Sequence, residues 1–192
     1  MTLSQRPPRP PSSRPGTPGT AGVTLFEMLI VIAMIGILSA IALTHLDWKQ
    51  FQADSAARGV MAELATAQRL AVSLQNDMIV TFPDSATMQI VEDANNDGSA
   101  SGGERVRHVP LDNRFAFGKV GAPDIPSPDD PTEITSSVTF HRDGSADQSG
   151  TIYVHGPLEQ SDCKHCRAIS ISRATGRVVW YSYGSGTWKR AN

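Results

Sequence analysis

An unbroken apolar run covers residues 23–46, and Glu27 is the only formally charged residue in it. Twenty-four residues in a helix extend over about 36 Å, which exceeds the hydrocarbon core of a bilayer, about 30 Å thick. A helix buried inside a soluble protein is seldom apolar on every face over such a length. The pattern therefore predicts a membrane-spanning helix over residues 23–46.

Residues 47–76 keep a helical pattern but become amphipathic. They contain no proline, and small or aliphatic residues recur every three or four positions, which places them on one face of a helix. The positions in this stripe are Ala53, Ala57, Val60, Leu64, Ala67, Ala71 and Leu74. We therefore expect the membrane helix to continue through this segment, with the stripe packed on a globular domain.

Residues 77–192 change to short segments rich in β-branched and aromatic residues, separated by turn signals. The pattern predicts strands at residues 78–82, 87–92, 105–110, 115–120, 137–141, 151–155, 168–172 and 177–183. Residues 121–131 contain too much proline for the interior of a sheet and are predicted to form an exposed loop. The predicted fold class is α+β, a long N-terminal helix followed by a β-rich domain.

Residues 1–22 form a proline-rich leader with three arginines, Arg6, Arg9 and Arg14, and no acidic residue. This composition cannot bury a core, and the arginines place the N-terminus in the cytoplasm and the β-rich domain outside it. The small-residue pair Ala21-Gly22 precedes the apolar run, whereas the cleavage site of a Sec signal peptide follows it. The position of this pair therefore argues against cleavage as a Sec signal peptide.

The combination of a basic leader, Gly22, and V-T-L-F-E at the start of an apolar helix resembles the type IV pilin and pseudopilin superfamily. The resemblance implies that a prepilin peptidase cuts between Gly22 and Val23 and that the new amino group of Val23 is N-methylated. It also implies an assembly role for Glu27, the fifth mature residue. Valine replaces the phenylalanine or methionine that is commoner at the first mature position.

Four further segments, residues 62–76, 138–146, 150–154 and 167–178, resemble the GspH/FimT family of minor pseudopilins and minor pilins. The resemblance implies a helix packed on two small antiparallel sheets, in a subunit at or near the tip of a type II secretion pseudopilus or a type IV pilus. The implied partners are other pilins or pseudopilins and the inner-membrane assembly platform. The implied location is the bacterial inner membrane, as a single-pass protein with a periplasmic domain that later enters a filament.

Glu27 needs a partner charge, because a carboxylate in an apolar membrane segment costs about 3 kcal/mol. Cleavage creates such a charge, the α-amino group of Val23. In a filament, the amino group of one subunit can meet the carboxylate of its neighbour, which offsets the cost of burial and fixes the register of the subunits. The alternative is a carboxylate that reaches the lipid headgroups.

The segment between two predicted strands fits the twelve-residue EF-hand calcium loop, with oxygen-bearing side chains at alternate positions, glycine at the sixth and glutamate at the twelfth. The candidate ligands are Asp93, Asn95, Asp97, Ser99, Ser101 and Glu104. However, an EF-hand has helices on both sides of the loop, and the alternative is an Asx- and glycine-rich hairpin loop. Calcium is therefore the one possible cofactor, and no other is predicted.

Cys163 and Cys166 are the two cysteines of the chain, and no Cys or His pair at a suitable spacing completes a zinc site. A strand-like segment follows them, whereas a thioredoxin-like C-x-x-C pair opens a helix. The pair is therefore predicted to form a local disulfide in an oxidising compartment, with a free thiol pair as the alternative.

Two other functions can be weighed against the filament role. DNA-binding minor pilins carry a G-R-x-R pattern that Gly176-Arg177 matches only in part, and Arg177, Lys189 and Arg190 are the candidate phosphate contacts. Without the leader the chain has 14 basic and 19 acidic residues, a net charge of −5, so nucleic-acid binding is not expected. A membrane-anchored exported enzyme is the other alternative, but no catalytic motif supports it and the chain is predicted not to be an enzyme.

Overall fold

The computed structural model describes residues 22–44, 48–112, 114–126, 128–156, 163 and 165–191. The predicted leader up to residue 21, and residues 45 and 46 at the end of the predicted span, lie outside the described residues. The chain divides into two compact units, Met1–Leu46 and Asp47–Asn192.

Helix α1, Leu25–Thr44, belongs to the first unit. Thr24 caps it, because the Thr24 Oγ1 atom accepts a hydrogen bond from the backbone N–H of Glu27 at 3.2 Å. Large apolar side chains along α1 are exposed, with Leu25 at 85% and Leu38 at 67%. Across the described part of the chain, no helix combines the length and the apolar character needed to cross a membrane.

Helix α2, Trp48–Leu74, belongs to the second unit and buries the predicted stripe, except that Leu74 at its last turn is 44% exposed. Alanine supplies four of the six buried stripe positions, so the backbone of α2 can approach the sheets closely. The helix ends where Gln75 takes a left-handed conformation with φ of 59°.

The described strands form two antiparallel sheets, as the α+β prediction requires. Sheet A has the order β3-β2-β1-β5 and sheet B has the order β4-β6-β7-β8-β9. The strands are β1 Asp77–Asp84, β2 Thr87–Asp93, β3 Arg105–Pro110, β4 Ala116–Phe117, β5 Ser137–Phe140, β6 Gly150–His155, β7 Arg167–Ile171, β8 Val178–Gly184 and β9 Thr187–Arg190. The α+β prediction is therefore confirmed, although strand β9 was not predicted.

The main core lies where α2 packs on both sheets, against β1 and β5 of sheet A and β6, β7 and β8 of sheet B. Its fully buried side chains include Leu64 from the helix, Val80 and Phe140 from sheet A, and Ile169 from sheet B. The helix therefore joins the two sheets through one hydrophobic core.

A second hydrophobic cluster covers the other face of sheet B and corrects the prediction for residues 121–131. That segment is not simply an exposed loop, because Ala122 and Ile125 are 6% and 4% exposed and pack in this cluster. Two of its polar contacts come from aromatic side chains of the sheet: Trp188 Nε1 donates to the carbonyl oxygen of Pro123 at 2.8 Å, and Tyr153 Oη to that of Pro131 at 3.3 Å. We call residues 121–131 the proline-rich strap.

Candidate functional site

The predicted cleavage junction lies just before the first turn of α1. Gly22, Val23 and Thr24 are outside the helix and exposed, and Val23 is 62% exposed. Among the described residues, a Cβ atom added at Gly22 would meet no atom within 4 Å, so there is open space at the Cβ position of this glycine. Because Thr24 is the N-cap, the bond between Gly22 and Val23 lies outside the hydrogen-bonded helix.

Glu27 lies in the first turn of α1, where a carboxylate interacts favourably with the helix dipole. Thr24 and Glu27 occupy the N-cap and third positions, the spacing of a capping box. Glu27 is exposed in the single chain, so its carboxylate is accessible to a second molecule.

The first half of α2 is tied to sheet B by an ion pair that sequence reasoning missed. Arg167 of β7 is 1% exposed, and its Nε atom donates to Asp54 Oδ1 of α2 at 2.6 Å. Its other nitrogens donate to the carbonyl oxygens of Cys166 at 2.8 Å and of Gln50 at 3.4 Å. A buried guanidinium needs this many acceptors, since an unpaired charge in a core is strongly unfavourable.

The second half of α2 is tied to two turns by the Gln68 side chain. Its Nε2 atom donates to the carbonyl oxygens of Gly144 at 2.9 Å and of Thr175 at 2.7 Å. The turns approach so closely that a Cβ atom at Gly176, where φ is +58°, would lie 2.3 Å from the oxygen of Gly144. Glycine at 176 is therefore explained by packing and backbone conformation.

The predicted calcium loop folds around its own carboxylates. Asp93, fully buried, accepts hydrogen bonds from the backbone N–H groups of Asp97 at 3.1 Å and Gly98 at 2.8 Å. Glu104 Oε2 accepts from the N–H of Ser101 at 2.8 Å. The side chain of Asn95 bonds to Asp97: its Nδ2 atom donates to Asp97 Oδ2 at 2.8 Å.

These contacts describe an Asx-rich hairpin loop between β2 and β3, and the flanking elements are strands, not helices. Ser99 joins the loop through its backbone N–H, which donates to Asp97 Oδ1 at 2.8 Å. Within the described residues, no three His, Cys, Asp or Glu side chains are arranged to hold a metal ion. Calcium binding here remains a prediction.

Cys163 and Cys166 form a disulfide with Cα atoms 5.2 Å apart. Both are buried in the second hydrophobic cluster, beside the aromatic residues that hold the proline-rich strap. Cys166 also supplies the carbonyl oxygen that Arg167 uses, so the disulfide borders the ion pair to α2.

The three candidate DNA contacts are exposed, and one of them lies beside an acidic residue. Arg177 precedes β8 and faces Asp129 of the strap, with Nη2 and Oδ1 3.8 Å apart. Asp129 also accepts a hydrogen bond from Tyr181 Oη at 2.5 Å, and burial followed by this contact raises the pKa of Tyr181. Lys189 and Arg190 are exposed on β9, the edge strand of sheet B.

Comparison with known proteins gives one family and one structural likeness. The family described as type II transport protein GspH matches residues 56–175. No curated protein sequence matches the chain. Among solved structures, the minor pseudopilin EpsH from the Type 2 Secretion System of Vibrio cholerae is similar, with a TM-score of 0.47 and 11% identity, covering 68% of this chain and 97% of that chain. The GspH family match spans more than half of the sequence and confirms the predicted resemblance, so this chain belongs to the GspH family of type II transport proteins.

Proposed function

We propose that this protein is a minor pseudopilin that is made as a precursor, cut between Gly22 and Val23, and assembled at or near the tip of a type II secretion pseudopilus. The observation that carries the proposal is the pairing of two independent features. One is the GspH family match over residues 56–175, and the other is the sequence G-V-T-L-F-E before an apolar helix. The family match does not include that N-terminal sequence, so each feature supports the other.

The exposed position of the cleavage junction supports processing by a prepilin peptidase. The scissile bond precedes the Thr24 cap, and among the described residues there is open space at the Cβ position of Gly22. The peptidase can therefore bind the chain closely on both sides of the bond. Methylation of the new Val23 amino group would follow the cut.

The apolar run over residues 23–46, of which α1 covers Leu25–Thr44, supports an inner-membrane anchor. Its large apolar side chains are exposed in the isolated chain, and lipid or neighbouring helices would cover them. The arginines of the leader orient the N-terminus toward the cytoplasm, which puts the second unit in the periplasm. The subunit would leave this anchored state when the assembly platform inserts it into the filament.

Glu27 supports the assembly step. A neighbour's Val23 amino group would pair with this carboxylate once both are removed from water. The partners proposed are other pseudopilins, the prepilin peptidase and the assembly platform. The Arg177–Asp129 contact gives no support to a DNA-uptake role, because it offsets the charge of the best candidate cation.

The test compares Gly22→Ala with Gly36→Ala in cells that produce the full chain and its secretion system. Both glycines have open space at the Cβ position, but Gly36 lies within α1 and away from the cut. We expect the mass of the wild-type and Gly36→Ala proteins to begin at Val23, and Gly22→Ala to accumulate as precursor. A functional, filament-incorporated protein that retains Met1 would overturn the proposal.

A further inference from the structure

The start of α2 carries an exposed aromatic pair. Trp48 and Phe51 are 64% and 65% exposed, and their ring centroids are 5.7 Å apart. Gln52 links Trp48 to Arg114: in the amide orientation that satisfies both donors, its oxygen accepts from Trp48 Nε1 at 3.1 Å and from Arg114 Nη1 at 3.3 Å. Lys49 is exposed on the same turn. We call Trp48, Phe51, Lys49 and Arg114 the interfacial shelf.

A groove of about 300 Å³ lies beside the two rings and is open to solvent. Its lining is mainly small or apolar and includes Ser55, Ala56 and Gly59 from α2, and Val109 and Pro110 at the end of β3 with Leu111 after it. Of the two acidic residues that line it, Glu63 is paired with Arg107 and Asp112 is exposed. The two rings of the shelf are exposed and do not belong to the core of the second unit.

The composition of the shelf matches one kind of partner, the surface of a phospholipid bilayer. Aromatic side chains with a polar edge, as in Trp48, concentrate at the level of the lipid headgroups, and Lys and Arg beside them contact phosphates. The mature chain has a net charge of −5, whereas both charged members of the shelf are cations, which suits an anionic lipid surface.

The distance along the chain supports the same partner. Three residues separate Thr44, the last residue of α1, from Trp48. Trp48 therefore follows closely in the sequence on the segment proposed to cross the membrane. We propose that the interfacial shelf contacts the periplasmic surface of the inner membrane while the subunit awaits assembly, with its rings among the headgroups. This proposal rests on the membrane anchoring of α1 given under Proposed function.

The test uses the full chain in vesicles of zwitterionic and anionic phospholipid, some of which carry bromine near the headgroup end of the acyl chain. Bromine quenches tryptophan fluorescence only at contact distance. We expect brominated lipid to quench part of the tryptophan emission of the wild-type chain. Trp48→Phe should abolish this quenching. Trp188→Phe is the matched control and should retain it, because Trp188 is half-buried on β9 and bonded to Pro123. Lys49→Gln with Arg114→Gln should reduce the quenching more in anionic than in zwitterionic vesicles.

Flotation of the same vesicles tests membrane anchoring of the chain separately from contact between the shelf and lipid. A chain that floats with the vesicles but shows no lipid quenching of Trp48 would overturn the shelf and leave the anchor intact. A chain that does not float would overturn both. If Trp48 were shielded from iodide in water yet not quenched by brominated lipid, another protein copy would cover the shelf, and the lipid proposal would be wrong.

Discussion

Arg167 and Asp54 form a nearly buried ion pair between β7 and α2, with Nε and Oδ1 2.6 Å apart and the arginine side chain 1% exposed. Helix α2 and sheet B are therefore joined by a charged contact in addition to apolar packing. The pair is unequal, since Asp54 keeps 26% of its side-chain surface exposed and Arg167 depends wholly on protein acceptors.

Because Arg167 is the more deeply buried partner, we expect Asp54→Ala to lower the free energy of unfolding more than Arg167→Met does. Removing the carboxylate leaves a buried guanidinium without its partner charge and should cost about 3 kcal/mol, the lower end for a buried pair because Asp54 is 26% exposed. Arg167→Met removes both the charge and its desolvation cost, so it should destabilise less. Chemical unfolding of the two variants measures the difference, with exposed Arg173→Met as control. Equal losses for both variants would show that the charge contributes little.

Gly176→Ala should destabilise far more than Gly186→Ala. Both glycines have positive φ, +58° and +79°, so each substitution carries backbone strain of roughly 1 kcal/mol. At Gly186 the new Cβ meets nothing within 4 Å, whereas at Gly176 it would overlap the oxygen of Gly144 and displace Gln68. We expect a loss of about 3 kcal/mol or more at Gly176, measured by thermal unfolding. Similar losses at both positions would mean that the two turns separate at little cost.

The raised pKa of Tyr153 predicts that the protein loses stability in alkaline solution. Burial, with a smaller effect of Asp124, raises the pKa of Tyr153 to about 12 from the ordinary value of 10.0. The folded state therefore keeps the phenol proton where the unfolded state releases it. This contribution is complete below about pH 10 and is lost between pH 10 and 12, by on the order of 2 kcal/mol.

Guanidinium unfolding at about pH 9 and about pH 11 measures this slope, and Tyr153→Phe supplies the control. The variant lacks the titrating phenol, so its stability should fall less over the same range. A parallel decline in wild type and variant would assign the pH dependence to other groups, of which Tyr181 is the first to test.

Glu27→Ala should leave processing intact and block assembly. The substitution removes a carboxylate from an apolar helix, which makes membrane insertion easier by about 3 kcal/mol. The cleaved subunit should then accumulate in the membrane, because the Val23 amino group of a neighbour would be buried without a partner charge. Cross-linking to other pseudopilins measures incorporation, and Glu27→Asp tests the need for the charge. Normal incorporation of Glu27→Ala would show that the charge pair is dispensable.

Calcium can be tested at the loop between β2 and β3. Because Asp93 and Glu104 already accept backbone hydrogen bonds, we expect the same melting temperature in calcium, magnesium and chelator, and a loss of about 1–3 kcal/mol in Asp93→Ala under all three conditions. A typical extracellular site would instead raise stability by roughly 1.4–2.7 kcal/mol in about 10 mM calcium. A calcium-specific rise that Glu104→Gln abolishes would establish a metal site.

The sequence by itself determined the elements that are indicated by short stretches of neighbouring residues. The spacing of Ala53, Ala57 and Leu64 predicts which face of α2 is buried, because a helix returns to the same face every three or four residues. Strand β3 was predicted with its observed bounds from β-branched residues between turns. The GspH assignment also followed from short segments of sequence.

Tertiary structure alone decided the features that depend on distant partners. Nothing near Arg167 in the sequence predicts that it is buried, because its partner carboxylate, Asp54, lies in α2, 113 residues earlier. Ile125 lies among prolines that indicate an exposed loop, yet the aromatic face of sheet B gives it an apolar surface to cover. Asp129 neutralises Arg177 only because the strap crosses that face. Side-chain periodicity shows which residues share a face, but burial and charge compensation depend on which surfaces the fold brings together.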